Sequence, residues 1–593
     1  MFLRPDDPAT PRRIELVNIA LDYCYGVLSG DVIACKWIKA ACQRQLDDLE
    51  HSLRDDPDFP YIFDVNSAGK ICDFIERLCH VKGSWARVRN PHEKARIRLE
   101  PWQVFGLTTF FGWLRRDTLL RRFRTVYEEV ARKNAKTTKL AGVGLYLMAA
   151  DNEPGSEVYS AATTRDQATI VFDTARMMAV KDPELCARFG IELYRFQIGI
   201  PGNACLFKPL SADGHTLDGL NVHGGLIDEL HAHKSRAVYD VIDTATGSRE
   251  QPVMWSITTA GFDLGGVCYE KHVYSKKVLN ETLHRHNGLG YKVESEGIRD
   301  DTWFALIYTL DDGDSPFDEE VWPKANPNLD VSVFRLDIRR KAQVAQRVAS
   351  ALNNFLTKHM NVWCNASEAW MDMRKWLACG DPTLKESDFL GEQCYVGLDL
   401  ASKVDIAAKM KVFFEHKEDG IHYYLFGTYY LPEERIELEE TASYKGWAQE
   451  NHLTATPGSS IDMDLIEEDL LRDTKAYYVL GVGYDPAQAT QLVQHLDEHG
   501  VPMVEVRPTV LNFSEAMKEF EAATYEGRVH HNGDPVLTWM VGNVVCKMDA
   551  KDNVYPRKER NENKIDGVVA AIMGIRLVLI GGGENIYESR GPL

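Results

Sequence analysis

The 593-residue chain has no run approaching the ~18 to 20 apolar residues of a membrane-spanning helix. Its opening, "MFLRPDDPATPRRIELV", turns polar at once instead of leading into the apolar core of a secretory signal. A membrane protein is therefore not expected. Paired cysteine motifs are also missing: the twelve Cys include no C-x-x-C and none at zinc-ribbon spacing. Cys35 and Cys42, like Cys72 and Cys79, stand seven apart, which on a helix means a shared apolar face, so reduced thiols in a cytosol are expected. Positive charge is in deficit as well. With 68 Lys and Arg against 88 Asp and Glu, the formal charge is −20, and no global field draws nucleic acid to the surface. Contact with DNA requires a local basic patch, or the acids must be committed to metal. There is no internal repeat and no low-complexity tract.

What is present is an ordinary globular composition, 44% hydrophobic and 26% charged, in a chain too long for a single core. Between residues 14 and 53 apolar residues recur at three- and four-residue steps, which predicts two helices broken near Ser29-Gly30, and residues 1–95 read as an N-terminal helical region. Over 96–301 short β-rich runs ("TVYEEV", "EVYSAA", "HGGLID", "MWSITTA") alternate with helical stretches, the signature of a doubly wound parallel α/β sheet. Residues 302–385 read as a connecting subdomain. They hold the acidic turn "DDGDSPFDEE", the breaker cluster "PKANPN" and one long amphipathic helix, "LDIRRKAQVAQRVASALNNFLTKHMNVW". A second α/β unit, 386–593, opens at "CYVGLDLA" with three strands in antiparallel order and then mixes strand and helix, which suits a ribonuclease H-like sheet.

In "VYEEVARKNAKTTKLAGVGLYLMAA" a strand, a turn and a helix surround Lys136-Thr137. A nucleotide's phosphates need N–H donors at a helix N-terminus, a lysine for the β- and γ-phosphates and a hydroxyl for Mg²⁺. The strict G-x-x-x-x-G-K-[ST] pattern fails twice, since Val130 and Ala135 hold the glycine positions, and close backbone approach at Ala135 requires that its φ stay negative. The candidate loop comprises Arg132, Lys133, Asn134, Ala135, Lys136, Thr137 and Thr138. Arg132 reads equally as a γ-phosphate stabiliser and as a solvated cation. "HGGLIDELHAH" ends a strand in Asp228-Glu229, an Asp to hold Mg²⁺ and a Glu to orient or deprotonate water. Thr258 and Thr259 follow the next strand and can sense the γ-phosphate, with an ST-turn as the competing reading. Gln103 offers a paired donor and acceptor for an adenine edge, and Arg165 stands where a ring neighbour's ATP could receive it.

In the second unit Asp399 sits inside an apolar strand, a costly place for an acid unless a cation pairs with it. Asp485 ends a later strand and Asp566 begins the last helix. Converging carboxylates of this kind serve two-metal phosphodiester cleavage, and without His or Cys beside them they suit Mg²⁺ or Mn²⁺. Asp405 reads more as a turn residue than as a fourth ligand. Arg557, Lys558, Arg560 and Lys564 form a basic stripe just before Asp566.

The stretches "ARKNAKTT", "LDGLNVHGGLIDELHAH", "WSITTAG", "KHMNVW", "GLDLASKVDIAA", "GYDP" and "NKIDGVVAAIMG" together resemble the large terminase subunits of tailed bacteriophages, in order and over nearly the whole chain. The resemblance implies a P-loop additional-strand ATPase followed by a ribonuclease H-like nuclease. It implies Lys136 and Thr137 as the phosphate-loop pair, Asp228 and Glu229 as Mg²⁺ holder and catalytic glutamate, Thr258 and Thr259 as the coupling motif, and Asp399, Asp485 and Asp566 as nuclease metal ligands. Arg132 and Arg165 both remain open as the arginine finger. The cofactors implied are ATP with Mg²⁺ and two Mg²⁺ or Mn²⁺ ions. The partners are double-stranded viral DNA, the portal protein, a small terminase subunit and four further copies in a five-membered ring. The place implied is the host cytoplasm, docked on the procapsid and absent from the mature virion. A helicase- or restriction-type translocase with a nuclease tail is the alternative, and a portal-binding subunit with degenerate sites a more remote one.

Overall fold

The computed structural model describes residues 9–581 apart from 55, 89–92, 164, 211–218, 234, 292, 294–296, 348, 365–369, 401–405, 438–441, 487–489, 549–552 and 559–562. The chain divides into two compact units, Met1–Gln346 with Asn354–Cys364, and Arg347–Asn353 with Asn365–Leu593.

The first unit begins with helices α1 (Thr10–Ser29) and α2 (Lys36–Leu53), separated where Gly30 takes φ +91°, the left-handed stop that glycine adopts without strain. Helix α3 (Val65–Glu76) is capped by Asp64, whose carboxylate accepts the Ser67 N–H at 2.9 Å. Helix α4 (Pro101–Gly112) opens with Pro and a reciprocal Glu100–Gln103 capping box. These helices do not form a core of their own. Leu16, Cys35, Cys42 and Cys72 belong to one continuous apolar cluster with the strands that follow, in which α1, α3 and α4 pack on one another. Among the described residues every cysteine is a free thiol.

The sheet of this unit has strands β1 (Thr125–Glu129), β2 (Glu157–Ala161), β3 (Glu192–Leu193), β4 (Ile198–Ile200), β5 (Cys205–Leu210), β6 (Val222–Asp228), β7 (Val253–Thr258) and β8 (Trp303–Ile307). Their order is β8-β1-β7-β6-β2-β5-β4-β3, parallel from β8 to β5 and closed by the antiparallel edge β4–β3. All seven residues of β6 are buried, the pattern of a parallel strand covered on both faces. Strand β7 lies between β1 and β6, which makes this the additional-strand arrangement. Helices α5 (Lys136–Ala149), α6 (Arg165–Val180) and α7 (Val267–Arg285) supply crossovers. The helix expected before residue 363 is described over Arg335–Arg347 and over α8 (Ala349–His359), residue 348 lying outside the described residues. The chain passes between the two units at 346/347, 353/354 and 364/365, so residues of the 302–385 stretch, expected as a connecting subdomain, fall in both.

Beneath this sheet Arg121 grips Asp151 through two hydrogen bonds of 2.9 and 3.0 Å, and His223 Nε2 lies 2.8 Å from the same carboxylate. Burial opposes ionisation of Asp151, but Arg121 and His223 outweigh it and hold the carboxyl at about 2, below its ordinary 3.8. A depressed carboxyl stabilises the fold above the unfolded-state value and loses that contribution as pH falls through the folded one. About 2 kcal/mol should therefore disappear between pH 4 and pH 2. Acid titration of the unfolding midpoint checks this, and Asp151→Asn should flatten that part of the profile.

The second unit has strands β9 (Gln393–Asp399), β10 (Ala407–Lys417), β11 (Gly420–Pro432), β12 (Thr454–Thr456), β13 (Tyr478–Tyr484), β14 (Met503–Glu505), β15 (Val529–His531), β16 (Val544–Met548) and β17 (Val554–Lys558). The main path runs β12-β11-β10-β9-β13-β14, with β15 on β11 and a separate β16–β17 hairpin. Strands β9, β10 and β11 are antiparallel, and β13 joins β9 in parallel, as the strand pattern predicts. Helix α9 (Asp566–Gly581) buries its apolar residues against β9 and β10. Its contact is intimate: a Cβ at Gly397 would stand 1.8 Å from the Ala570 carbonyl oxygen, and one at Gly574 would stand 2.5 Å from Val412.

Candidate active sites

The loop that leaves β1 enters α5 through two left-handed residues, Lys133 at φ +71° and Ala135 at φ +56°. The expectation of a negative φ at Ala135 is thus not met. The residue holds a conformation that glycine adopts freely and that other L-residues adopt at ~1–2 kcal/mol. Left-handed residues at alternating positions turn backbone N–H groups toward one centre, an anion-binding nest at the start of a helix. Asn134 braces this loop. Its Nδ2 donates to Ala131 O at 3.0 Å and to Asn326 Oδ1 at 3.2 Å, and its Oδ1 accepts the Asn328 N–H at 3.0 Å. Ser332 adds a 2.6 Å bond to Lys133 O. With its side chain engaged in this way, Asn134 has its backbone N–H to offer a nucleotide.

Lys136 Nζ is buried and donates to two carbonyls of its own loop, Val130 O at 2.9 Å and Ala131 O at 3.1 Å. Burial lowers its pKa while Glu229 and Asp228 oppose the shift. Arg132 is exposed at the same loop, and its charge bears on Lys136 and on Lys358. Thr137 and Thr138 lie in the first turn of α5.

Register explains why distant residues meet here. Glu129 pairs with Thr258 across β1 and β7, and Asp228 with Ile257 across β6 and β7, so three parallel strands end together at the loop. Asp228 accepts the Glu229 N–H at 3.0 Å. Burial, followed by the charge of Glu229, pushes the Asp228 carboxyl up to about 7. Glu229 itself is left-handed, at φ +52°, a strain of the kind that collects at functional sites. Burial opposes its ionisation, but His231, Lys136 and Lys358 outweigh that and keep it charged. Its Oε2 is buried without a hydrogen bond, with His231 Nδ1 3.2 Å away outside bonding geometry. An orphaned acceptor beside a half-neutralised aspartate, facing cations without carboxylate partners, fits a triphosphate and its divalent ion. Thr258 and Thr259 are fully buried and donate to the Thr259 and Ala260 carbonyls at 2.8 and 3.0 Å.

One proposed residue, Gln103, sits differently from expectation, and another, Arg165, is not described at its side chain. Gln103 Oε1 accepts the Glu100 N–H at 3.0 Å, so reading adenine with both ends of the amide would break the α4 cap. Arg165 begins α6, and its side chain lies outside the described residues. Residues missed in the sequence include Glu129, whose carboxylate meets Tyr127, His272 and Trp363 at 2.6, 2.9 and 3.1 Å. Asn326, Asn328 and Lys358 were missed as well. Their signal lay in "PKANPN" and "KHMNVW", as polar side chains inside a turn cluster and at a helix end.

In the second unit Asp399 ends β9 and Asp485 follows β13, whose paired residues Leu398 and Tyr484 precede them. Both carboxylates act on the Tyr555 phenol, which burial first and then their charges push upward. Helix α9 runs back along β9, since Gly581 lies at Tyr395 and Ala570 at Gly397. From that crossing Asp566 is four residues on (~6 Å) and Asp399 two strand residues on (~7 Å), in the same direction. Among the described residues no three carboxylates, imidazoles or thiols are spaced to hold an ion. Asp405 lies outside the described residues, as does Arg560. A donor set made of carboxylates alone suits hard cations. Arg557 and Lys558 are exposed on β17 beside this corner.

Two family models match the chain in succession, the terminase large subunit ATPase domain over 101–277 and its endonuclease domain over 297–581. Protein YmfN of Escherichia coli K12 is 35% identical over 386 residues, 63% of this chain and 80% of that protein. The terminase large subunit of Enterobacteria phage HK97 is 27% identical over 519 residues, 85% and 94% of the two chains. The crystal structure of the HK97 large terminase aligns at 24% identity and a TM-score of 0.41, covering 86% of this chain and 99% of that one. Among the described residues no helix is long and apolar enough to cross a membrane. The chain belongs to the phage terminase large subunits, enzymes with an ATPase and a nuclease domain that use nucleotide and divalent metal to drive DNA packaging and cut the concatemer.

Proposed function

We propose that ATP binds with its phosphates over the 132–138 loop, Lys136 reaching the β- and γ-phosphates and Thr137 and Asp228 facing Mg²⁺. The observation that carries this reading is the shared end of β1, β7 and β6, which gathers the loop, Thr258 and Asp228-Glu229. Glu229 orients or deprotonates the attacking water, and the cations around it keep its carboxylate ionised. Thr258 and Thr259 carry the phosphate state into β7. Arg132 can stabilise the γ-phosphate within its own chain, and Arg165 across a ring boundary.

Asp399, Asp485 and Asp566 hold two Mg²⁺ or Mn²⁺ ions at the nuclease corner, with Arg557 and Lys558 gripping the phosphodiester backbone. When bound, such ions neutralise charge on the scissile phosphate and generate the attacking hydroxide. The ATPase portion is 96–301 and the nuclease 386–593. Packaging is carried out by a ring, on our reading five copies, docked on the procapsid portal in the host cytoplasm and supplied with DNA by a small terminase subunit.

A crystal soaked with Mn²⁺ and a non-hydrolysable ATP analogue tests both sites. Phosphate density above Lys136 and paired ions between β9, β13 and α9 are the expected result. Nucleotide bound elsewhere, or ions that avoid all three aspartates, would remove these assignments.

A further inference from the structure

Lys358, the next-to-last residue of α8, is 8% exposed and is tied to the phosphate loop, its carbonyl oxygen accepting the Arg132 N–H at 3.0 Å. Its Nζ donates to His231 Nε2 at 3.0 Å and lies 5.6 Å from the Phe262 ring centre. Among the described residues it makes no ion pair with a carboxylate. This buried ammonium has a neutral imidazole beside it and the charges of Arg132 and Lys136 against it, and the charge of Glu229 compensates it only from beyond ion-pair distance. Burial first, then Arg132, pushes its pKa down to about 8, the same imbalance seen from another side.

We infer that Lys358 is a third phosphate-facing cation of the motor site, one that binds the γ-phosphate of ATP and releases His231 as it does so. This rests on the reading that ATP occupies the Lys136 loop. The partners of His231 make the release consequential. With Nε2 accepting from the ammonium, the imidazole carries its proton on Nδ1, which stands 3.1 Å from Thr258 Oγ1 and 3.4 Å from Thr259 Oγ1. The His231 N–H also donates to Thr258 Oγ1 at 3.0 Å. In this resting arrangement the imidazole proton is held by the threonines, and Glu229 Oε2, 3.2 Å from the same nitrogen, goes without a hydrogen bond. Once Lys358 turns to the γ-phosphate, His231 can rotate or change tautomer and serve Glu229. ADP, lacking that phosphate, leaves the resting set intact.

The test compares equilibrium binding of Mg²⁺·ADP and of a Mg²⁺-bound non-hydrolysable ATP analogue to the full-length protein. Lys358→Met should weaken the analogue about 10- to 100-fold, the worth of one charge-assisted hydrogen bond, and leave ADP within about threefold. Lys358→Arg should retain most of the discrimination. His231→Ala should lower kcat without weakening the analogue, because the phosphate-binding ammonium remains. Equal weakening of ADP and analogue in Lys358→Met, or no change in either, overturns the inference and leaves Lys358 a clasp for the loop. Should Lys136→Ala bind both nucleotides as the parent does, the underlying loop assignment fails instead.

Discussion

Lys136→Ala should lower kcat/KM for ATP hydrolysis by about 10²–10³-fold while Mn²⁺-dependent plasmid cutting continues at the parental rate. The size of the effect follows from what the side chain does. In a buried site its ammonium is the charge nearest the carbonyls of Val130 and Ala131 and a principal attraction acting on Asp228 and Glu229. Without it two adjacent buried acids lose their compensating cation, and charge developing on the γ-phosphate loses a preorganised donor. Lys136→Arg should not rescue, since a planar fork differs from a compact ammonium in shape and donor directions. Coupled release of phosphate measures the first activity and supercoil relaxation on a gel the second. Loss of both together would mean that the loop supports the nuclease, or that the substitution unfolds the chain.

The converse is expected at the other site. Asp566→Ala and Asp399→Ala should each reduce cutting by about 10³-fold or more, since one metal-borne charge stabilisation of several kcal/mol is removed, and should leave ATP hydrolysis intact. Each residue ends an element whose packing lies elsewhere, Asp399 on β9 and Asp566 at the start of α9, so removing the carboxylate does not undo the core. Asp485→Ala belongs to the same set. Undiminished cutting by Asp566→Ala would refute the assignment of the nuclease corner.

Most of the motor sheet was legible because a parallel strand buried on both faces reads as a continuous apolar run, as in "VHGGLID". The short edge strands β3 and β4 were not, since two or three residues carry no period. Strand order was legible only through family resemblance: nothing in "PVMW" says that β7 inserts between β1 and β6, yet that insertion brings Thr258 to the loop. The left-handed turn at Ala135 was hidden by its small side chain, which satisfies a packing argument without revealing φ. Lys358 was hidden for a different reason. Among the described residues its buried ammonium forms no ion pair with a carboxylate, and a missing pair is visible only in three dimensions.

The same dependence on backbone geometry governs the nuclease through Gly397. Strand and helix meet there with no side chain between them, so the separation of β9 and α9 at this crossing is set by main chain. A single added methyl would wedge α9 outward and carry Asp566 away from Asp399 without altering one charge on the surface. The scissors can thus be blunted from within the hinge, leaving blades, grip and engine chemically untouched.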